Sequence, residues 1–390
     1  MPREYAQITP SVIRWAREKA KLTIDQAAEK LGRTPTDIQK WENGEALPTL
    51  AQARSAAKLY GRAFAVFYLP SPPDDFEPLR DFRMNQDSII SSKSLLFIRQ
   101  IQWKAEWLAE FLVSEGSQKL DFVGRYDINS PIEDVASNII ETLDISLSDH
   151  RATRSPSKAL SLWINKSENC GINIVRDSSI NSDEFRGFVI INDYAPFIFL
   201  NSNDSYSSRV FTLVHELVHV WINQQGIIDP IVWNGTSAAN AIETFCNRIA
   251  QSILIKETEL IELWDSENDT ASIIKICQDI SSSMVISPEM VARCLLDNKR
   301  ISHNDYQLVR EAGIDLWKKH KEKQRESDGM VSPSLMAVLK NGYLFSQIVL
   351  NAYQTGLISG RDASSLLNFK VNNFGKLSDN IPLRSHYARQ

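Results

Sequence analysis

Apolar residues recur at helical spacing through most of the chain, and the pattern is clearest near its start. Ile24, Ala27, Ala28 and Leu31 fall at i, i+3, i+4 and i+7, which predicts a short helix over 24–31 with Thr23 as N-cap and Gly32 just past its end. Three residues on, Thr34 caps a second helix, Pro35 suits its first turn, Asp37 favours the positive end of its dipole and Gly44 stops it. Flanking helical patterns at 10–20 and 49–60 complete a compact helical bundle. Ile38, Trp41, Leu31 and Leu50 are its expected core, and Glu42 is expected to pair with Arg17 as an internal strut.

After Leu69, Pro70-Ser71-Pro72-Pro73-Asp74-Asp75 cannot continue a helix and sets a boundary. Helical patterns resume at 89–115 and 131–143 without recognisable chemistry. Between 170 and 201 the period shortens. Gly171–Val175, Gly187–Asn192 and Pro196–Asn201 read as strands of a small, mostly antiparallel sheet, the last two separated by an Asp193-Tyr194-Ala195 turn. Ser287-Pro288 opens another helix. Lys318–Ser327 is a charge run of the kind that ends a solvated helix, and 341–376 reads as two helices around Gly356–Gly360.

At 390 residues the chain is expected to hold several units. We place a helix-turn-helix domain at 1–73, a helical connecting segment at 74–150, a domain containing the small sheet at 151–300 and a helical accessory domain at 301–390. With 43% hydrophobic and 23% charged residues, extensive disorder is excluded. The net charge of −5 conceals a head of +4 over residues 1–70 on a body of −9. That excess alone supports only weak, salt-sensitive attraction to phosphates. No run approaches a membrane span, no apolar export signal opens the chain, and the four cysteines lack C-x-x-C spacing, so a cytoplasmic, reducing setting is expected. Nothing in the pattern specifies an oligomer.

The head string Leu22-Thr23-Ile24-Asp25-Gln26-Ala27-Ala28-Glu29-Lys30-Leu31-Gly32, followed by Ile38–Gly44 and Leu47-Pro48-Thr49, resembles the Cro/CI-type (XRE) helix-turn-helix DNA-binding family over about sixty residues. The resemblance implies that the helix from Pro35 to Asn43 enters the major groove of double-stranded DNA. Thr36, Asp37, Gln39 and Lys40 are then the side chains placed to reach it. Ile24 stands where that family often has Gln.

The strongest chemical signal is His215-Glu216-Leu217-Val218-His219 on a predicted helix with Ser207 or Ser208 as its cap. Residues four apart on an α-helix differ by about 40° in azimuth and about 6 Å in rise, so both imidazoles can hold one Zn2+. Glu216, about 100° round from His215, is then placed as the general base for a water that the metal acidifies. A catalytic zinc site needs a third protein ligand. Thr236 or Ser237 can cap a later helix that supplies Glu243 for that role, with Asn247 one turn on to hydrogen-bond a ligating imidazole. Cys246 reads as a buried apolar residue, and His150, His303, His320 and His386 as surface or packing groups. Tyr194 and Tyr206 are the nearby candidates for stabilising an oxyanion. The strand Pro196–Asn201 is a candidate to align a peptide by strand addition.

Phe211–His219 together with Glu243-Thr244-Phe245-Cys246-Asn247-Arg248-Ile249-Ala250 resembles the ImmA/IrrE family of metallo-endopeptidases over about 165–300. The resemblance implies a gluzincin-like, α+β zincin fold with two His and one Glu on zinc. It also implies peptide hydrolysis with regulatory proteins such as repressors among the substrates, and a familiar fusion to an XRE head. The expected whole is therefore multidomain and mainly α with a small sheet: a helical head, a zincin-like unit and a helical C-terminal cap. The rival expectation is an XRE-type transcriptional regulator, of the phage or toxin–antitoxin sort, whose metal site is structural, sensory or latent.

Overall fold

The computed structural model describes residues 4–20, 22–62, 64–73, 91–224, 226–228, 238–266, 271–327 and 332–381. Its contacts divide the chain into two compact units, one built from 1–78 and 87–102, the other from 79–86 and 103–390.

In the first unit, helices α1 (Pro10–Lys19), α2 (Ile24–Leu31), α3 (Pro35–Asn43) and α4 (Leu50–Tyr60) follow the predicted pattern closely. Thr23, Thr34 and Thr49 each accept a hydrogen bond from the third amide of the helix they cap. Gln26, Asp37 and Gln52 answer with bonds back to the cap amide. Gly32 (φ 61°) and Gly44 (φ 76°) end α2 and α3 in the left-handed conformation that a Cβ disfavours. Val12, Ile13, Ala16, Ala27, Ala28, Ile38, Trp41, Ala53 and Tyr60 form the core, while Leu31, Leu50 and Ile24 sit half-buried at its margin. The expected strut is present. Arg17 Nε and Nη2 donate to the two Glu42 oxygens at 2.6 and 2.9 Å, and Nη1 donates to the Leu22 carbonyl at 2.7 Å. Helix α5 (Ser92–Ser114) follows, its residues through Gln102 belonging to this unit.

The second unit places α6 (Ile132–Leu143), α7 (Leu147–Ala152) and α8 (Pro156–Asn169) ahead of strands β1 (Asn173–Asp177), β2 (Gly187–Ile190) and β3 (Phe197–Asn201). Helix α9 (Tyr206–Trp221), strand β4 (Gly226–Ile228) and helix α10 (Ala238–Leu254) complete the centre. The remainder is helical: α11 (Glu257–Ser266), α12 (Ile273–Met284), α13 (Pro288–Asp297), α14 (His303–Ser327), α15 (Pro333–Asn341), α16 (Tyr343–Gln354), α17 (Gly360–Leu367) and α18 (Phe374–Ser378). Val135, Ile139 and Leu143 of α6, read from sequence as part of a connector, lie in the same core as α9 and α10. His150 is a packing group, fully buried, whose Nδ1 accepts a hydrogen bond from Trp163 Nε1 at 3.1 Å. No helix among the described residues is long and apolar enough to cross a membrane.

The sheet order is β1-β3-β2-β4, with β1 parallel to β3 and the other two pairs antiparallel, a mostly antiparallel sheet as expected with one parallel pair at its edge. The parallel pair follows from β2, which lies between β1 and β3 in sequence and runs antiparallel to β3, so the chain reverses twice before β3 pairs with β1. Alternation gives the sheet two buried faces. Ile174, Val189, Ile198 and Leu200 join Leu213 and Leu217 of α9 in one core. On the other face Phe188 and Phe199 meet at 5.1 Å between ring centroids, and Phe197 meets Phe345 of α16 at 5.6 Å. The C-terminal helices are tied down by a buried carboxylate: Glu168 Oε1 accepts from the Tyr343 and Leu344 amides at 2.9 and 3.3 Å, capping α16 from α8.

Because β3 has β1 on one side and β2 on the other, both its hydrogen-bonding edges are occupied. The expectation that Pro196–Asn201 receives a substrate strand is therefore overturned. A period-2 apolar run shows that a strand is buried, but not which neighbours it takes.

Candidate metal centre

Helix α9 begins where Ser205, rather than Ser207 or Ser208, accepts the Ser208 amide at 3.2 Å. The three serines offer the same chemistry, and Ser205 alone has the extended backbone of a cap (φ −61°, ψ 155°). From Thr212 to Trp221 every residue of the helix is buried, which suits its apolar sequence between the sheet and α10.

Within this enclosure the two imidazoles and one carboxylate converge. His215 Nε2 and His219 Nε2 are 3.1 Å apart, His215 Nε2 is 3.2 Å from Glu243 Oε2, and His219 Nε2 is 3.7 Å from Glu243 Oε1. Glu243 comes from α10, which packs along α9; the caps Thr236 and Ser237 considered for that helix fall outside the described residues. Among the described residues, His215, His219 and Glu243 are the group of His, Cys, Asp or Glu side chains close enough to hold one ion. Cys246, one turn along α10 and buried, is not part of it. Burial and the nearby carboxylates of Glu243 and Glu216 push its thiol well above the usual range and keep it protonated.

The donor set fits a divalent cation such as zinc. Neither oxygen of the Glu243 carboxylate has a hydrogen bond, although the residue is 1% exposed. A buried, unmatched carboxylate is costly unless a cation offsets it. Zinc–nitrogen and zinc–oxygen bonds of about 2.0–2.2 Å in a tetrahedron put neighbouring ligand atoms about 3.3–3.6 Å apart, and the three observed separations straddle that edge length. Burial holds the His219 imidazole down to about 4, outweighing the opposite pull of Glu243, so the ring is neutral at ordinary pH.

His219 Nδ1 lies 2.9 Å from the Gln224 carbonyl oxygen, which fixes the ring so that Nε2 faces the centre. Sequence reasoning offered Asn247 as support for a ligating imidazole and did not find this main-chain acceptor. Asn247 is fully buried on α10, but the carbonyl reaches His219 because the chain turns back after α9 at Asn223 (φ 51°). A main-chain acceptor leaves no mark in the pattern of side chains; an asparagine just past a helix end, where left-handed backbone is tolerated, is the one available sign.

Glu216 is also completely buried, and neither of its carboxylate oxygens has a hydrogen-bond partner. Burial first, and Glu243 second, raise its pKa well above that of an ordinary glutamate. A carboxylate with a raised pKa beside a metal-binding triad is equipped to take a proton and return it. Of the two tyrosines, Tyr206 stacks on Arg209, with the guanidinium carbon 4.3 Å from its ring centroid, and Tyr194 neighbours Lys119 at 5.9 Å.

On the head, Thr36, Gln39 and Lys40 are exposed on α3. Asp37 is committed elsewhere. Its Oδ2 accepts the Thr34 amide at 3.1 Å, and those cap bonds lower its pKa. The acid that marks the helix start in sequence is therefore used up in making it.

Two family models match the chain. Residues 168–295 match the M78 peptidase family, described as the IrrE N-terminal-like domain, and residues 13–67 match the family described as Helix-turn-helix. No curated protein and no solved structure matches it significantly. The chain thus carries a segment that matches the helix-turn-helix family ahead of one that matches the M78, IrrE/ImmA-like, peptidase family, and the metal cluster and Glu216 fall inside the second match.

Proposed function

We propose that the protein is a zinc-dependent endopeptidase with a DNA-binding head, acting in the cytoplasm on a regulatory protein such as a transcriptional repressor. The observation that carries this reading is the convergence of three buried ligand atoms, two from one helical turn and one from α10, beside a buried glutamate whose oxygens are unmatched. His215, His219 and Glu243 would hold the metal, with the Gln224 carbonyl orienting His219. Zinc, when bound, supplies a Lewis acid that polarises the scissile carbonyl and makes a water acidic near neutral pH. Glu216 accepts the proton of the attacking water and passes it to the departing amine, a transfer that suits its raised pKa. Four free cysteines, three of them buried, are in keeping with a reducing compartment.

One observation favours a second reading, in which the metal site of an XRE-type regulator is latent or sensory. His215, His219 and Glu216 are 0% exposed, so a peptide bond reaches them only after some part of the surround moves aside. Metal analysis of the purified full-length chain, followed by incubation with candidate repressors, separates the readings. The endopeptidase yields about one zinc per chain and a discrete cleavage that a chelator stops and zinc restores. Retained metal without cleavage of any candidate supports the regulator.

For the head, Lys40 and Gln39 make different predictions. Lys40→Ala in the full-length chain should weaken binding to all duplexes alike and lower the salt slope of log K by about 0.9, the signature of one lost phosphate contact. Gln39→Ala should instead relax preference among sequences, by about 1–3 kcal/mol at one base pair. Filter binding across a salt series reads both, and unchanged slopes and preferences for both variants would remove α3 from the interface.

A further inference from the structure

The sheet face that packs on α9 is aliphatic at Ile174, Val189, Ile198 and Leu200, but breaks its pattern at Gly187. Position 187 is opposite Leu200 in the β2–β3 register and two residues before Val189, so it belongs to that face, and packing alone would favour a branched side chain there. A Cβ built at Gly187 would lie 2.8 Å from Glu216 Oε1, 2.6 Å from Thr212 Cγ2 and 3.1 Å from the Phe199 carbonyl oxygen. The first two are closer than real Cβ contacts allow. Gly187 needs no glycine-only backbone: its φ is not positive, and it pairs regularly with β3 and β4. Its missing side chain is therefore accounted for by the space beside it.

That space holds the Glu216 carboxylate. With no hydrogen bond to either oxygen, the carboxylate is located by the walls around it, and Gly187 and Thr212 are two of those walls. We propose that Gly187 is a positioning residue for Glu216, its bare α-carbon leaving the recess from which the carboxylate addresses the metal centre. The proposal rests on Glu216 being the general base, and it adds a requirement on β2 that neither the zinc ligands nor the helix motif contains.

The test is Gly187→Ala in the full-length chain. An added methyl forces the carboxylate to retreat by several tenths of an ångström, and since a misplacement of about 1 Å costs about 10²-fold in rate, kcat should fall about tenfold or more. KM and zinc affinity should stay within about twofold, because none of the three atoms nearest the added methyl belongs to His215, His219 or Glu243. Thr212→Ser, which removes the methyl at 2.6 Å, is combined with Gly187→Ala to isolate the carboxylate contact and protect folding. Glu216→Asp draws the carboxylate back by one methylene, clear of the added methyl, so Gly187→Ala/Glu216→Asp should lose less activity than the product of the two single losses. A crystal structure of metal-free Gly187→Ala/Thr212→Ser gives a readout independent of turnover. A displaced Glu216 carboxylate supports the proposal even if the wild type cleaves no candidate, in which case the endopeptidase reading alone has failed. A carboxylate in its original place, or wild-type kcat in the alanine variant, overturns it.

Discussion

Glu216→Gln should retain about one zinc per chain while cleavage falls by about 10²–10⁴-fold, the span that a positioned general base contributes. The substitution preserves shape and removes only the ability to take a proton. The residue makes no hydrogen bond that an amide would break, since both carboxylate oxygens are unmatched, and it is not one of the three clustered ligands. A second consequence concerns the metal-free protein. Burial raises the folded-state pKa of Glu216 above its unfolded value, so the native state prefers this group protonated. Its contribution to stability is then fully present below the unfolded carboxyl pKa of about 4.3 and is lost as pH rises toward the folded value. Glu216→Gln, which cannot ionise, should abolish that decline and leave the metal-free variant more stable at pH 7 than the metal-free wild type. Metal analysis, a cleavage assay and calorimetry at pH 5 and pH 7 read the three effects. Cleavage at the wild-type rate would remove Glu216 from the mechanism.

What was legible beforehand is what one stretch of chain can encode by itself. The caps Thr23 and Thr34 and the stops Gly32 and Gly44 stood in sequence where the structure uses them, because capping chemistry is local. The pairing of His215 with His219 was equally local, a matter of helical pitch. Glu243 needed one step more, the assumption that a later helix lies along the first, and α10 meets it. Where the outcome depended on neighbours in space, reading failed or stopped short. β3 looked like an available edge but is internal, because β1 and β2, both earlier in the chain, occupy its two sides. The Gln224 carbonyl beside His219 went unseen, because a main-chain acceptor depends on where the chain turns back after α9. Gly187 was read as the first residue of a strand, but its missing side chain has no visible reason until the opposing Glu216 is seen.

The Arg17–Glu42 strut was also readable, and breaking it should have the largest effect on the head. Both side chains are buried, at 8% and 4% exposure, and the pair is bidentate, with a third donor on the Leu22 carbonyl holding the turn between α1 and α2. The Glu42 interaction is the main reason the Arg17 pKa is raised, so the guanidinium is charged whenever the head is folded. Arg17→Met removes the buried, bidentate cation and leaves the Glu42 carboxylate with only the half-exposed Arg14, 3.7 Å away, and such one-sided losses cost up to about 3–5 kcal/mol. A unit of this size has a stability of about 0.05–0.15 kcal/mol per residue, a total of the same order, so the head should be largely unfolded. Arg17→Met/Glu42→Leu should restore most of the lost stability, because replacing both partners removes the desolvation penalty along with the attraction. Hydrogen exchange across residues 4–62 of the full-length chain measures this, with zinc binding by His215, His219 and Glu243 as the internal control. Protection undiminished in Arg17→Met would mean that the apolar core of Val12, Ile13, Ile38 and Trp41 holds the head without the strut. Protection that stays low in the double variant would mean that the bond to Leu22, and not the charge pair, is what α1 and α2 require.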